Sequence, residues 1–135
     1  MRHELPSDRI TRSIIGAFYE VYNTLGFGFL EHLYVLALER ELRSRGHTVE
    51  REFAVLVKYK GEALGHQRLD MVVDGLVIIE VKSTYKLEPE AGRQLYNYLK
   101  ATNLEVGLLL HFGPKGASVS RQIHSKAREH SVSSA

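Results

Sequence analysis

The residues best suited to chemistry interrupt the most apolar segment of the chain. Glu80 and Lys82 follow the apolar residues 76–79. In a strand, residues two apart project from the same face, so both charges would lie together. Burying either charge alone costs several kcal/mol, so their position needs an explanation. Two explanations are open: a structural ion pair at the end of a strand, or a functional site.

Asp70 favours the functional explanation. It is a lone acid at the end of another apolar run, and the short segment that separates it from Glu80 predicts neighbouring strands of one hairpin. Two carboxylates and an ammonium at a sheet end suit hydrated Mg²⁺ or Mn²⁺, which takes few protein oxygens and leaves the other positions to water and phosphate. The metal would polarise a phosphate and acidify a water, and Lys82 would orient that water or stabilise the developing charge.

The turn of this hairpin decides whether the two acids meet. A two-residue Asp74-Gly75 turn would pair Val73 with Leu76 and place Asp70 and Glu80 on opposite faces. A three-residue loop over residues 73–75, with glycine in the left-handed bulge position, would pair residue 72 with residue 76. That register puts both acids on one face. The metal-site hypothesis therefore requires the longer loop.

The elements that position these residues follow from the spacing of the apolar side chains. Helical spacing predicts helices over residues 8–25, from about 30 to 45, and 89–102. Alternating or continuous apolar runs predict strands near 49–59, 63–73, 76–83, 104–112 and 117–123. The order ααβββαβ(β) predicts an α/β sandwich with a central mixed β-sheet flanked by helices.

Composition narrows the class of protein. The 135 residues predict one domain, residues 1–125, followed by a polar tail, residues 126–135. The absence of cysteine excludes disulfides, zinc–thiolate sites, iron–sulfur clusters and cysteine nucleophiles. No apolar run approaches the ~20 residues of a membrane span, and the first residues lack a signal-peptide core, which predicts a cytoplasmic protein without a membrane partner. A net charge of +2 is too small to indicate a nucleic-acid partner by itself.

Motifs spread along the chain from Gly28 to Tyr98 together resemble a known family over about residues 8–123. Arg68-Leu69-Asp70 followed by Glu80-Val81-Lys82 resembles the D…(D/E)xK core of the PD-(D/E)XK, or restriction-endonuclease-like, nucleases. The segment from Gly28 to Tyr34, GFLEHLY, matches the G-x-x-E-x-x-Y motif that names the GxxExxY protein family, a branch of that superfamily. Gln94 and Tyr98 resemble the Q-x-x-x-Y element of related exonucleases.

The resemblance implies a role for each matched residue. Metal ligands would be the carboxylates of Asp70 and Glu80, with the carbonyl of Val81 as a further ligand. Glu31 would complete the acidic cluster, either by binding the metal directly or through a water molecule. Lys82 would be the catalytic lysine, Gln94 would position Lys82 or the substrate phosphate, and Tyr98 would pack behind them. Arg68, next to the first acid of the core, would line the site. Without the motif, Glu31 is a solvated helix carboxylate and Gln94 an ordinary polar helix position. His66 does not belong to a motif: it shares strand parity with Asp70 and could line the cleft, and the alternative is a place at the rim or on the surface.

These observations predict a Mg²⁺- or Mn²⁺-dependent nuclease that hydrolyses phosphodiester bonds, in DNA rather than RNA. The alternative is a catalytically silent nuclease fold that binds nucleic acid or a protein partner. Intact Asp70, Glu80 and Lys82 favour the enzyme, because a degenerate copy usually loses one of them. A homodimer would double the contact surface for nucleic acid, and the sequence leaves the oligomeric state open.

Overall fold

Three helices and five strands make up the part of the chain that the computed structural model describes, residues 7–125. The predicted polar tail, residues 126–135, lies outside it. The elements are α1 (Asp8–Leu25), α2 (Glu31–Ser44), β1 (Val49–Tyr59), β2 (Glu62–Val73), β3 (Val77–Lys82), α3 (Glu90–Thr102), β4 (Val106–Gly113) and β5 (Gly116–Ile123). None of these helices is long and apolar enough to cross a membrane.

The strands form one mixed sheet in the order β1-β2-β3-β4-β5. Only β3 and β4 run parallel, because α3 connects them as a crossover, and the other neighbours are antiparallel. Parallel strands end at the same edge, so Lys82 at the end of β3 lies beside His111 of β4. The predicted α/β sandwich with a central mixed sheet, in the order ααβββαββ, is confirmed.

Helices cover both faces of the sheet. The larger core lies under α1 and α2, where Phe18 and Tyr34 pack with Phe112 of β4. The smaller core lies under α3, where Leu95 and Leu99 pack on the opposite face of the sheet. Both faces of β3 and β4 are therefore covered, which explains why β3 is apolar as far as Ile79 and β4 is apolar from Val106 to Leu110.

The β2–β3 hairpin differs from both predicted registers. Asp74 and Gly75 have φ angles of 54° and 66°, and the Leu76 N–H donates to the Val73 carbonyl at 3.0 Å, as in a two-residue turn. Val73 nevertheless pairs with Val77, so Leu76 is the extra residue of a bulge. The predicted pairing of residue 72 with residue 76 is wrong by one position in each strand. Because both strands shift, Asp70 still lies on the same side as Glu80, directly opposite it.

At one position in the β1–β2 ribbon, the side chains that pack under α1 and α2 give way to side chains of the same parity that pack under α3. Val49 of β1 and Met71 of β2 pack under α1 and α2, whereas Val55 and Leu69 pack under α3. Strict alternation would keep Val49 with Val55, and Met71 with Leu69, on one face. The exchange lies where Glu52, with φ of 52°, would pair with Asp70. Asp70 therefore lies at a break in the ladder, where irregular backbone can redirect a side chain.

Candidate active site

Asp70 and Glu80 occupy facing positions on β2 and β3, just beyond the last regular pair of the hairpin, Met71 with Ile79. The backbone N–H of Asp70 donates to Glu80 Oε1 at 2.9 Å, and the N–H of Val81 donates to Asp70 Oδ2 at 2.7 Å. Each carboxylate thus accepts the N–H hydrogen bond that a backbone carbonyl of its own strand would accept in a regular ladder. These two hydrogen bonds hold the acids at the same end of the hairpin.

The half-buried position of both acids disfavours their charged forms. Burial is the main cause that raises the pKa of Glu80 to about 7, and the neighbouring charge of Asp70 adds to the rise. Burial also raises the pKa of Asp70, and the charge of Glu31 contributes in the same direction, against the hydrogen bond from Val81. Because the two half-buried carboxylates repel each other, a cation bound between them would stabilise their ionised forms.

Glu31 reaches the same end of the sheet from α2. It is the first residue of that helix, where a negative charge is favourable, and its Oε1 accepts the N–H of Ser83 at 3.0 Å. The loop before it is fixed by Tyr34, whose hydroxyl donates to the Gly26 carbonyl and accepts the Phe29 N–H at 3.3 Å. In the G-x-x-E-x-x-Y segment, Glu31 therefore bonds the loop after β3, whereas Tyr34 fixes the loop before α2.

Lys82 is half-buried at the end of β3. Its positive charge acts to lower the pKa of both Asp70 and Glu80, but burial has the larger effect and both pKa values stay raised. Within residues 7–125, no ion pair of 4.0 Å or less joins Lys82 to either acid. Its ammonium is close enough to act on them electrostatically without being held by them. Val81, between Glu80 and Lys82, is fully buried and bonded through its N–H to Asp70.

The two polar residues of α3 occupy different environments. Tyr98 is half-buried, its hydroxyl donates to Gln67 Oε1 at 3.4 Å, and burial together with the charge of Glu80 raises its pKa. Gln94 lies exposed one turn earlier, and no hydrogen bond among the described residues joins it to Lys82. Tyr98 therefore packs on the core under α3 and is near enough to Glu80 to respond to its charge, whereas Gln94 is open to solvent.

Arg68 and His66 lie on the exposed part of β2 beyond Asp70. Arg68 pairs with Ala54 of β1, and His66 pairs with Leu56. Arg68 also forms a loose, solvent-exposed ion pair with Glu52 at 3.6 Å. Gln67 between them bonds Tyr98, so Arg68 and His66 project from the face of the ribbon turned away from α3. Neither side chain contacts an acid of the cluster in the described structure.

Sequence reasoning missed the loop that follows Lys82. Ser83 bonds Glu31 through its N–H, and its hydroxyl donates to the Phe29 carbonyl at 3.2 Å. Thr84 is held by His111 of β4, whose Nε2 lies 2.8 Å from the Thr84 carbonyl oxygen. The available signal was His111 itself, a polar residue near the end of a fully buried strand.

The donor set at this end of the sheet fits a divalent cation. Each of Asp70, Glu80 and Glu31 uses one oxygen to accept a backbone N–H, which orients the carboxylate and leaves its other oxygen as a potential ligand. As the side chains stand, no group of three or more Asp, Glu or His residues within residues 7–125 forms a closed ligand set. A cation would therefore draw the second oxygens together, and hard oxygen donors of this kind suit Mg²⁺ or Mn²⁺.

Comparison with known proteins shows the superfamily of this chain. The family model described as the PD-(D/E)XK nuclease superfamily matches residues 8–123. No curated protein matches the chain significantly. Among solved structures, the crystal structure of SSO0001 superposes with a TM-score of 0.56 at 19% identity, over 95% of this chain and 65% of that one. This chain thus spans less than two thirds of SSO0001.

A second solved structure is an alkaline exonuclease, LHK-Exo, from Laribacter hongkongensis. It superposes with a TM-score of 0.45 at 12% identity, over 98% of this chain and 77% of that one. The family match covers every element from α1 to β5, including both acids of the β2–β3 hairpin and Lys82. The chain therefore belongs to the PD-(D/E)XK nuclease superfamily.

Proposed function

We propose that this protein hydrolyses phosphodiester bonds in nucleic acid, in DNA rather than RNA, with Mg²⁺ or Mn²⁺ as its cofactor. Family membership supports a nuclease, and PD-(D/E)XK nucleases generally use divalent metals. The observation that carries the proposal is the facing pair of half-buried carboxylates, Asp70 and Glu80, with Lys82 two residues further along β3.

The cation would be held by Asp70, Glu80 and Glu31, with the Val81 carbonyl as a further ligand. When bound, it supplies the positive charge that polarises the scissile phosphate and acidifies a water molecule. The backbone N–H groups of Asp70 and Val81 orient two of these carboxylates before any ligand arrives. Such preorganisation avoids rearrangement during the reaction.

Lys82 is proposed to be the catalytic lysine. Because no carboxylate holds its ammonium in an ion pair, it is available to stabilise the negative charge that develops on the phosphate oxygens, or to orient the attacking water. A lysine removed from the site would leave a cluster of acids that repels the substrate. Its place two residues after Glu80 therefore gives the site both signs of charge.

Substrate contacts are proposed for the exposed polar residues around the acids. Gln94 on α3 is open to solvent, which favours a contact to a substrate phosphate over one to Lys82. Arg68 and His66 lie on the ribbon next to Asp70, where they would contact the backbone of the nucleic acid. Tyr98 would hold the ribbon to α3 through Gln67. A single domain over residues 1–125, a cytoplasmic location, a homodimer and membership in the GxxExxY branch stay predictions.

A cleavage assay tests the proposal. Purified protein is incubated with single-stranded DNA, duplex DNA and RNA in chelator, Mg²⁺ or Mn²⁺, alongside Lys82→Ala and the matched control Lys100→Ala. Lys100 is an exposed lysine in the last turn of α3. We expect cation-dependent cleavage of DNA that Lys82→Ala abolishes and Lys100→Ala retains. Tight binding of nucleic acid without hydrolysis under any condition would instead assign the silent binding module.

A further inference from the structure

A cleft opens at the end of the sheet where β3 and β4 finish, and it is lined by His111, the residue that pairs with Lys82. It encloses about 500 Å³ between the loop after β3 and the turn between β4 and β5. Tyr85 and Lys115 both line the cleft. Neither residue is needed by the proposed hydrolysis. An aromatic ring and a cation in one cleft are the groups that bind a base and a phosphate.

The loop that carries Tyr85 is anchored at the two residues before it, Ser83 and Thr84. His111 holds Thr84 through its carbonyl and hydroxyl oxygens, at 2.8 and 3.1 Å, and Ser83 is bonded to Glu31 and Phe29. Tyr85 itself is 82% exposed. Its exposure therefore does not come from a loosely attached loop, because the adjoining residues are fixed to the sheet and to the segment before α2.

A second aromatic ring sets the orientation of Tyr85. Phe27 meets it edge to face, with ring centroids 5.2 Å apart and an interplanar angle of 70°. Phe29 and Leu30, next along the same segment, are 48% and 76% exposed.

The distance along the chain to the acids is short. Tyr85 follows Lys82 by three residues, and Ser83 between them is bonded to Glu31. A nucleotide chain whose phosphate lies at the acids would therefore place a neighbouring nucleotide at the cleft. Lys115 would meet the next phosphate, and Lys86, exposed in the same loop, adds positive charge.

We propose that the Tyr85–Lys115 cleft is a subsite for one unpaired nucleobase and its adjoining phosphate, next to the scissile bond. The inference rests on the proposed function and extends it, because it names the substrate class as single-stranded or frayed nucleic acid. In an intact duplex both faces of each base are covered by stacking, so no base offers a free face to the ring of Tyr85. An unpaired base of a single strand can offer one of its faces to that ring.

Binding measurements on a cleavage-blocked protein test the subsite. Lys82→Ala serves as the parent, in Mg²⁺, and Tyr85→Ala, Tyr85→Leu and Tyr85→Phe are added to it. Tyr19→Ala is the matched control, since Tyr19 is an exposed tyrosine on α1 outside the cleft. The probes are a fluorescein-labelled single-stranded oligodeoxynucleotide, a hairpin duplex of equal length, and single strands with one abasic residue at successive positions.

The subsite predicts a specific pattern of affinities. The parent should prefer the single strand, and Tyr85→Ala should weaken that binding about 5- to 150-fold, the effect of losing one stacked base. Tyr85→Phe should bind like the parent, and Tyr85→Leu like Tyr85→Ala, because a flat ring is required. One abasic position should weaken binding by the parent and have no further effect on Tyr85→Ala.

Three results would overturn the inference, and they separate it from the proposed function. If Tyr85→Ala binds the single strand as tightly as the parent, the subsite does not exist although the nuclease proposal stands. If neither the parent nor the wild type binds the single strand or the hairpin, the proposed function fails and the subsite with it. If Tyr85→Ala changes the sedimenting mass but not the affinity for the single strand, the exposed side chains of Tyr85, Phe29 and Leu30 instead form a contact between two copies of this chain.

Discussion

Asp70 and Glu80 each bond the backbone of the other's strand through a carboxylate oxygen, at 2.7 Å to the N–H of Val81 and 2.9 Å to the N–H of Asp70. The hairpin ladder would otherwise place carbonyl groups at these positions. The two acids therefore hold the strand ends in register and at the same time lie where a cation can bind. Replacing either of them tests both tasks.

The raised pKa of Glu80 predicts how the stability of the metal-free protein depends on pH. The native state binds a proton up to about pH 7, whereas the ordinary value for the unfolded chain is 4.5. Between these values the native state holds more protons, so its free energy of unfolding decreases as the pH rises. The decrease should be on the order of 3 kcal/mol across this window. Glu80→Gln cannot ionise and should flatten the slope.

Denaturant unfolding at several pH values, in the presence of a chelator, measures this slope for the wild type and for Glu80→Gln. Asp74→Asn, which changes another carboxylate of the same hairpin, is the control that should retain the decline between pH 4.5 and 7. Parallel curves for the wild type and Glu80→Gln would show that Glu80 is not the group that titrates there.

Glu31→Gln separates metal binding from helix stability. The amide oxygen of glutamine can still accept the Ser83 N–H, so only the charge and one ligand oxygen are lost. We expect Mg²⁺ affinity or turnover to decrease by about 10- to 100-fold, the range for residues that support a metal site. Thermal stability should change by no more than about 1 kcal/mol, the contribution of a charge at a helix start. Calorimetric Mg²⁺ titration and melting curves measure both, and a lowered melting temperature with unchanged affinity and turnover would make Glu31 a structural residue.

Tyr34→Phe tests how the segment before α2 is held. The fully buried ring stacks on Phe112 with a centroid distance of 4.0 Å, and phenylalanine can keep that contact. The lost hydroxyl leaves the Gly26 carbonyl and the Phe29 N–H without their partner. We expect a loss of about 1–3 kcal/mol in the free energy of unfolding, the penalty for unsatisfied part-buried groups. Tyr22→Phe, which loses one bond to the Gly113 carbonyl, is a comparison variant that should lose less. Equal stability of Tyr34→Phe and wild type in chemical denaturation would contradict this role.

A hydrogen-bonded chain away from the acids anchors the hairpin turn. His47 lies between Ser13 of α1 and Asp74, at 2.7 and 2.6 Å, and Asp74 also accepts the Thr48 N–H at 2.8 Å. Burial acts to raise the pKa of Asp74, but the bonds from His47 and Thr48 outweigh it and hold the pKa below 3.8. The lowered pKa stabilises the fold above pH 3.8, and the contribution is lost as the pH falls through the native value.

Asp74→Ala should therefore destabilise the protein by about 1–3 kcal/mol at neutral pH. Asp74→Asn should be milder, because asparagine tolerates the φ of 54° and can still accept the Thr48 N–H. Denaturation at neutral and acid pH measures both variants. The wild type should lose stability towards acid more steeply than Asp74→Ala. An equal acid dependence of the two proteins would show that the ionisation of Asp74 does not stabilise the fold.

The sequence predicted the elements because their periods are clear, and it identified the acids because charges in apolar strands are conspicuous. It could not predict the register of the hairpin. The two-residue register assumed no bulge, and the three-residue register placed the bulge at Gly75, whereas the extra residue is Leu76. Nor could alternation reveal the exchange of faces at Glu52 and Asp70, because it depends on one left-handed backbone angle. The loop after Lys82 was missed because its contacts to His111 and Glu31 join residues distant in sequence.

The most direct test of the central claim is single-turnover cleavage of DNA as a function of Mg²⁺ concentration. Wild type, Asp70→Asn, Lys82→Ala and the control Asp74→Asn are compared at a temperature where melting curves show all four folded. We predict cleavage that rises with Mg²⁺ for the wild type and Asp74→Asn, and no cleavage for Asp70→Asn or Lys82→Ala. Undiminished cleavage by Asp70→Asn or Lys82→Ala would contradict the account, because the activity would then belong to another site.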